Sequence, residues 1–450
     1  MVNAVFYVER FVHKVMHEGY TPSEEEVKVV SELLGQPTRK IDVVLSRYRQ
    51  VFGWYVVKRC AEADVNVELC IYTWNQRAPF RLFPLALHAF GTVLLFKGRE
   101  PVEVLAYPMP KALSFAKSPG LSREKFGNTV PREVTERVDG WQVAAYFNPI
   151  LGKWMFTTRY VLHNMFFEAG KLVVEDFSSI ANPYVYVAHK LAEESGLYNK
   201  LSRFEKGWTF TFVLKGPEPA ITKPPYPMGD DYPKYKLYLL FVRDPSGKLY
   251  TWRESRALLD YETPQYVEPE PLEKLYEKVV NRLDVRSYMA YVDTQDPENP
   301  IIAELESGLY PDAMSVKYLY DAKSAAIISS EGFGERLAEM VEEFVKGAVM
   351  GIDVAVKSFA KLLEGVMDID VVAMSIVEVL ENYKPGHGVS GDEIKAALKS
   401  GNIKRVVKKV FSTLLEGKSI ATKATIDTIN QFVEELRIKI AADRNTQHLI

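Results

Sequence analysis

At 450 residues the chain is longer than a single hydrophobic core usually serves, so two or three domains are expected. Its 47% hydrophobic and 26% charged residues exclude a disordered tail, a collagen-like fibre and a low-complexity scaffold. With 56 basic and 59 acidic residues the net charge is −3, so any grip on phosphate must come from a local patch.

Residues 1–37 read as helix: Thr21-Pro22-Ser23-Glu24 supplies a cap, a first-turn proline and a capping-box glutamate ahead of Val27, Val30, Leu33 and Leu34. Gly35-Gln36-Pro37 stops it, and a second helix is expected from Thr38. So short a turn admits a DNA-binding helix-turn-helix, but a plain packing pair is the favoured reading. The start carries Glu9 and Arg10 inside its apolar run and no small-residue cleavage site. No stretch approaches twenty uninterrupted apolar residues, so the expectation is a cytoplasmic protein with no membrane association. Cys60 and Cys70 are too few for a disulfide scaffold and lack partners at metal-ligand spacing. They read as core thiols, with no metal site. Sparse Gln with abundant Glu, Lys, Val and Tyr is the mix of proteins from thermophiles.

From about residue 54 the pattern changes to short β-branched and aromatic runs: WYVVKRC, VNVELCIYTW, GTVLLF, VEVLAY, QVAAYF, KWMFTTRYVL, KLVVEDF, WTFTFVL and YKLYLLFV. These predict mostly antiparallel strands. The Pro-rich stretches 216–233 and 262–271 are loops between them, since proline cannot donate to a ladder. After about residue 330 the period becomes helical, with Leu337, Met340, Val341, Phe344 and Val345 on one stripe. Pro385-Gly386-His387-Gly388 is a turn, and Ser390 with Glu393 predicts a capping box for the next helix.

Tyr107-Pro108-Met109-Pro110-Lys111, the first of several segments in order, is similar to the R-P-M-x-K of phage-type ATP-dependent RNA ligases, the RNA ligase 1 family. Glu136-Arg137-Val138-Asp139-Gly140-Trp141 resembles E-K-x-D-G-x, and Thr158-Arg159 the S-[KR] strand after it. Tyr238–Arg243, running on to Gly247–Tyr250, resembles the strand pair that holds the nucleotide. Val285–Ala290 occupies the place of E-G-Y-V, and Ala303–Tyr310 that of K-x-K-[ST]-x-W-Y. The resemblance spans roughly residues 40–330. It implies an α+β architecture: a mostly antiparallel nucleotidyltransferase core at 38–330, an N-terminal helical extension at 1–37 and an all-helical C-terminal domain at 331–450.

Such a ligase needs a lysine amine to attack ATP, glutamates for ribose and metal, and two lysines for transition-state charge. Carried over position by position, the resemblance puts Arg137 at the nucleophile, and a guanidinium offers no lone pair at biological pH. The metal-binding glutamate aligns with Val213, or with Thr211 in the other register; neither is a carboxylate. Arg286 stands at the later glutamate, and Glu304 and Glu306 stand at the two lysines. A carboxylate about 5 Å from a phosphate, at an effective dielectric of about 20, opposes it by roughly 3 kcal/mol. The opposed signs of Arg137, Arg286, Glu304 and Glu306 suggest a self-satisfied pocket of internal ion pairs. Lys111, Asp139, Gly140, Arg159 and Arg243 remain as the vestige of the nucleotide pocket. Lys117-Ser118-Pro119-Gly120 and Glu331-Gly332-Phe333-Gly334 superficially match displaced motifs, but both read as turns.

His13 and His17 sit one helical turn apart but lack a third ligand, and no Walker loop or nucleophile elbow is present. Lys404, Arg405, Lys408 and Lys409 share one side of an amphipathic helix, either a solvated face or a nucleic-acid contact. The reading is a catalytically degenerate pseudoenzyme that binds RNA or assembles with an active ligase or ribonucleoprotein, with no cofactor. An RNA ligase of altered chemistry, sealing pre-adenylylated RNA with ATP and Mg only in that case, and a purely structural protein are the alternatives.

Overall fold

Asn3 opens the first helix, Ala4–His17, by accepting from the Phe6 amide, and Ser23 opens the second, Glu24–Leu33. The capping box there is Ser23 with Glu26, not Thr21 with Glu24, because Ser23 is the last extended residue and its hydroxyl faces the Glu26 amide. The third helix runs from Ile41 to Trp54; Thr38 instead receives the Ser31 hydroxyl on its carbonyl, which holds the linker outside the helix. The computed structural model describes residues 3–75, 78–162, 165–168, 171–174, 183–216, 234–294, 299–364 and 368–447. Most of the Pro-rich stretch 216–233 lies outside them.

The protein is a mixed α+β fold. Strands β1 (Val56–Asp64), β2 (Val67–Trp74), β3 (Phe90–Lys97) and β4 (Glu100–Ala106) make an antiparallel meander in that order. The chain continues through β5 (Leu113–Ser114), β6 (Glu133–Glu136), β7 (Trp141–Asn148), β8 (Lys153–Thr158), β9 (Met165–Glu168) and β10 (Lys171–Val174). Then come β11 (Thr209–Lys215), β12 (Lys236–Arg243), β13 (Tyr266–Val267), β14 (Ser287–Val292) and β15 (Ile301–Glu306). A second sheet has the order β12-β11-β7-β8 and a third β13-β6-β14-β15-β5; β9 and β10 pair as a hairpin. Among the described registers only that of short β5, which joins β15 in parallel, is not antiparallel.

Cys60 and Cys70 lie directly opposite each other on β1 and β2 and form a disulfide. This corrects the expectation of two separate core thiols: the tight turn at Val65-Asn66 brings residues ten apart in sequence into register.

Contacts divide the chain into two units. The first holds Met1–Pro217, Pro225–Tyr276 and Ser287–Leu305; the second takes Glu277–Arg286 and Glu306–Ile450. The N-terminal helices do not stand apart from the first unit. Val5, Val8, Val30, Val44 and Val51 share a core with Tyr72, Leu94 and Phe96 of the first sheet. Within it Glu9, 5% exposed, accepts hydrogen bonds from the hydroxyls of Tyr48 and Tyr72 at 3.0 and 2.8 Å, which ties helices to strands.

The second unit is helical around Phe359, Phe411 and Phe432, whose rings meet at 5.3–6.3 Å. The stripe expected at 337–345 is broken: one helix ends at Met340 and the next starts at Glu343. Phe344 consequently turns outward, 67% exposed, with its ring against Tyr320. Ser390 caps Gly391–Lys399 through the Asp392 amide, and Glu393 faces Arg405 and Lys409 instead of closing a box. Among the described residues no helix is long and apolar enough to cross a membrane.

Candidate functional site

In the first unit, strands of the second and third sheets enclose a cavity of about 220 Å³. Gly140 and Val213 both line it, at the point where β7 and β11 pair Trp141 opposite Leu214. Val213 thus supplies an apolar surface. Thr211, the other register, is buried and spends its hydroxyl on the Met109 amide at 3.0 Å.

Arg137 follows β6, and its amide continues the ladder by donating to the Ser287 carbonyl at 2.9 Å. That fixes where its side chain enters. Nη1 donates to Glu304 Oε1, Nε lies 3.8 Å from Asp139 Oδ1, and Ser287 Oγ donates to the same Glu304 oxygen at 3.0 Å. Glu304 sits on β15, whose carbonyl at that residue accepts from the Phe115 amide at 2.8 Å. The carboxylate is therefore held from both its backbone and its head.

Two further cations line the cavity. The Lys111 ammonium lies 4.0 Å from the Trp74 ring centroid and 4.9 Å from that of Phe83; the Arg159 guanidinium lies 4.4 Å from that of Phe90. Aromatic faces stabilise both charges, and Arg159 Nη2 also donates to the Tyr160 hydroxyl. Burial pushes the Lys111 amine below the usual lysine range, Arg159 adds to the shift, and Glu304 opposes it. Burial likewise lowers Arg159. Arg159 Nε, Thr135 Oγ1 and Trp252 Nε1 are buried with no hydrogen-bond partner among the described residues, and all three residues line this cavity. Orphaned donors around a space of this size are what a bound polar ligand satisfies.

A lysine whose folded-state pKa is depressed binds its proton less well when folded, so it weakens stability below that pKa. Stability recovers as pH rises toward the ordinary value of 10.5. Lys111→Met is accordingly expected to raise the melting temperature at neutral pH, with the advantage fading as pH climbs through about 10. Thermal scans of both proteins across that range check it; a lower melting temperature for the variant at pH 7 contradicts the assignment.

The other sequence candidates lie elsewhere. Asp139 touches Arg137 but is not a lining residue. Arg243 is only 2% exposed; its guanidinium sits 3.8 Å from the Tyr107 centroid and donates to the Gly247 carbonyl at 2.5 Å. It is a core residue. Arg286 and Glu306 belong to the helical unit and pair at 3.5 Å, with Arg286 also over the Tyr310 ring at 4.0 Å. On the helix Ile403–Leu414, Lys404 and Lys408 share Glu331 at 3.7 and 3.9 Å, and Arg405 and Lys409 share Glu393 at 3.7 and 3.3 Å. Four cations on two carboxylates leave a reduced positive excess on that face. Sequence reading missed Trp252, Thr135, Trp74 and Phe90. Thr251-x-x-Glu254, a capping box that starts the helix Trp252–Leu259, was the available signal for the first.

No family model matches the chain, and no curated protein matches it. Among solved structures, an archaeal ATP-dependent RNA ligase (form 1) is similar at 14% identity, over 76% of this chain and 83% of that one, with a TM-score of 0.37. Its form 2 gives 14% and 0.36. A Naegleria gruberi RNA ligase variant with ATP and Mn is similar at 13% identity over 42% of this chain and 52% of that one, with a TM-score of 0.29.

Proposed function

We propose that this chain is an RNA-ligase-like protein that holds RNA without forming an enzyme-adenylate, alone or beside an active ligase or within a ribonucleoprotein. The observation that carries the reading is the Arg137–Glu304 pair inside the cavity. Where the motif resemblance sets an amine, a guanidinium is committed to a carboxylate and has no lone pair to give. What the cavity does offer is Lys111 and Arg159 against aromatic walls, a setting for a phosphate with a flat neighbour. The surface chosen for the backbone contact is the helix bearing Lys404, Arg405, Lys408 and Lys409.

Incubation with radiolabelled ATP and Mg²⁺ followed by a denaturing gel is expected to show no protein-bound label. A labelled band at the mass of the chain overturns the reading. The same cations support a second one, sealing of pre-adenylylated RNA, since a nucleotide already joined to RNA needs no attacking lysine. A ligated product from a 5′-adenylylated strand in the absence of ATP selects it.

A further inference from the structure

Across β1 and β2 the sequence Cys60-Ala61-Glu62 runs against Glu68-Leu69-Cys70. Register sets Cys60 opposite Cys70 and Glu62 opposite Glu68, and the two-residue period of a strand puts all four side chains on one face. Spacing along the chain hides this arrangement; only the pairing reveals it. Two carboxylates directly opposite each other repel, and neither Glu62 nor Glu68 has an ion-pair or hydrogen-bond partner among the described residues. A like-charged pair left unrelieved beside two sulfurs is costly unless a cation joins it.

One donor atom each from Cys60, Glu68 and Cys70 lies within 4.8 Å of the others. Tetrahedral zinc takes sulfur at about 2.3 Å and carboxylate oxygen at about 2.0–2.2 Å, so small side-chain rotations bring three such atoms around one ion. Cys60 and Glu68 reach solvent, while Cys70 is buried, which gives the site an entry side and a dry side.

We propose that reduction of the Cys60–Cys70 disulfide converts this hairpin face into a site for a zinc-class divalent cation, with Cys60, Cys70 and Glu68 as ligands and Glu62 adding charge. The balance is a two-electron exchange. A dithiol reductant supplies two electrons and two protons to the S–S bond and leaves as its own disulfide. The ion then displaces the two thiol protons. In the reverse direction a disulfide oxidant takes the two electrons, and two protons from water, to become its own dithiol, the Cys60–Cys70 bond re-forms, and the ion is released.

The test uses the full chain, reduced anaerobically, desalted and titrated with Co²⁺ and then Zn²⁺. Expected are thiolate-to-cobalt absorption in the near ultraviolet, visible bands of tetrahedral cobalt, and displacement of both by zinc. The oxidised protein is expected to give none of these. Glu68→Gln is expected to weaken zinc affinity at least about tenfold and Glu62→Gln by less, measured by chelator competition. Because Cys70→Ser sits in the core and can unfold the hairpin, the oxidised wild type and Glu68→Gln are the deciding comparisons, with circular dichroism confirming the fold. The proposal is overturned if reduced protein binds zinc no better than oxidised protein, if Glu68→Gln binds as tightly as wild type, or if the disulfide resists reduction while the chain stays folded.

Discussion

Gly140→Ala is expected to destabilise the first unit by about 3 kcal/mol and to distort the cavity wall. A Cβ at this position meets the Leu214 carbonyl oxygen at 2.2 Å, the Leu214 carbonyl carbon at 2.9 Å and Val213 Cγ2 at 2.9 Å. Two of those three atoms are backbone, so no rotamer change relieves the clash. The chain must instead draw β7 away from β11 at the Trp141–Leu214 pair, which is the wall the cavity rests on. Gly53→Ala makes the matched comparison. It sits in the helix Ile41–Trp54 with nothing within 4 Å of the added carbon, so it is expected to stabilise by about 0.5–1 kcal/mol. Urea unfolding of the two variants should therefore move in opposite directions, and a Gly140→Ala midpoint equal to wild type refutes the close-approach argument.

How far the fold is legible in sequence depends on where each element draws its stability. Runs such as VELCIYTW and TFTFVLK announce strands because β-branched and aromatic side chains fill both faces of a buried sheet. Glu133–Glu136 and Ile301–Glu306 are quieter. Their acidic residues sit among Val, Thr, Ala and Leu, and the charged positions look like solvated surface until the sheet brings Arg137 against Glu304. The same limit explains the cysteines: chain spacing says nothing of register, and register alone makes Cys60 and Cys70 a pair. At the site, Arg137, Val213, Glu304, Lys111, Gly140 and Arg159 come together around one cavity, whereas Arg243 and the Arg286–Glu306 pair do not line it. Motif order ranks residues along the chain, but it cannot say which of them the backbone turns inward. Arg243 shows why: its strand position is right, yet the Tyr107 ring and the Gly247 carbonyl claim its guanidinium.

Glu304→Gln is expected to tighten binding of a 5′-phosphorylated oligoribonucleotide by about tenfold or more at low salt. Charged residues lining the cavity are Lys111, Arg137 and Arg159 against Glu136 and Glu304, and Glu304 holds the Arg137 guanidinium through a charge-assisted bond. Removing that carboxylate's charge releases Arg137 toward the cavity and lifts a repulsion of roughly 3 kcal/mol for a phosphate about 5 Å away at an effective dielectric of about 20. Screening by mobile ions cuts this figure, which is why a tenfold gain is expected, not a hundredfold one, and why it should shrink as salt is added. The amide still accepts from Ser287, so the variant keeps its local hydrogen bonding and the stability change should stay near 1 kcal/mol. Lys111→Ala and Arg159→Ala are expected to move the affinity the opposite way, since each removes a cation that, among the described residues, forms no ion pair with a cavity carboxylate. Fluorescence anisotropy across a salt series separates these outcomes. If Glu304→Gln binds no better than wild type while Lys111→Ala still weakens binding, the Arg137–Glu304 pair is a structural brace and not the element that sets the charge of the cavity.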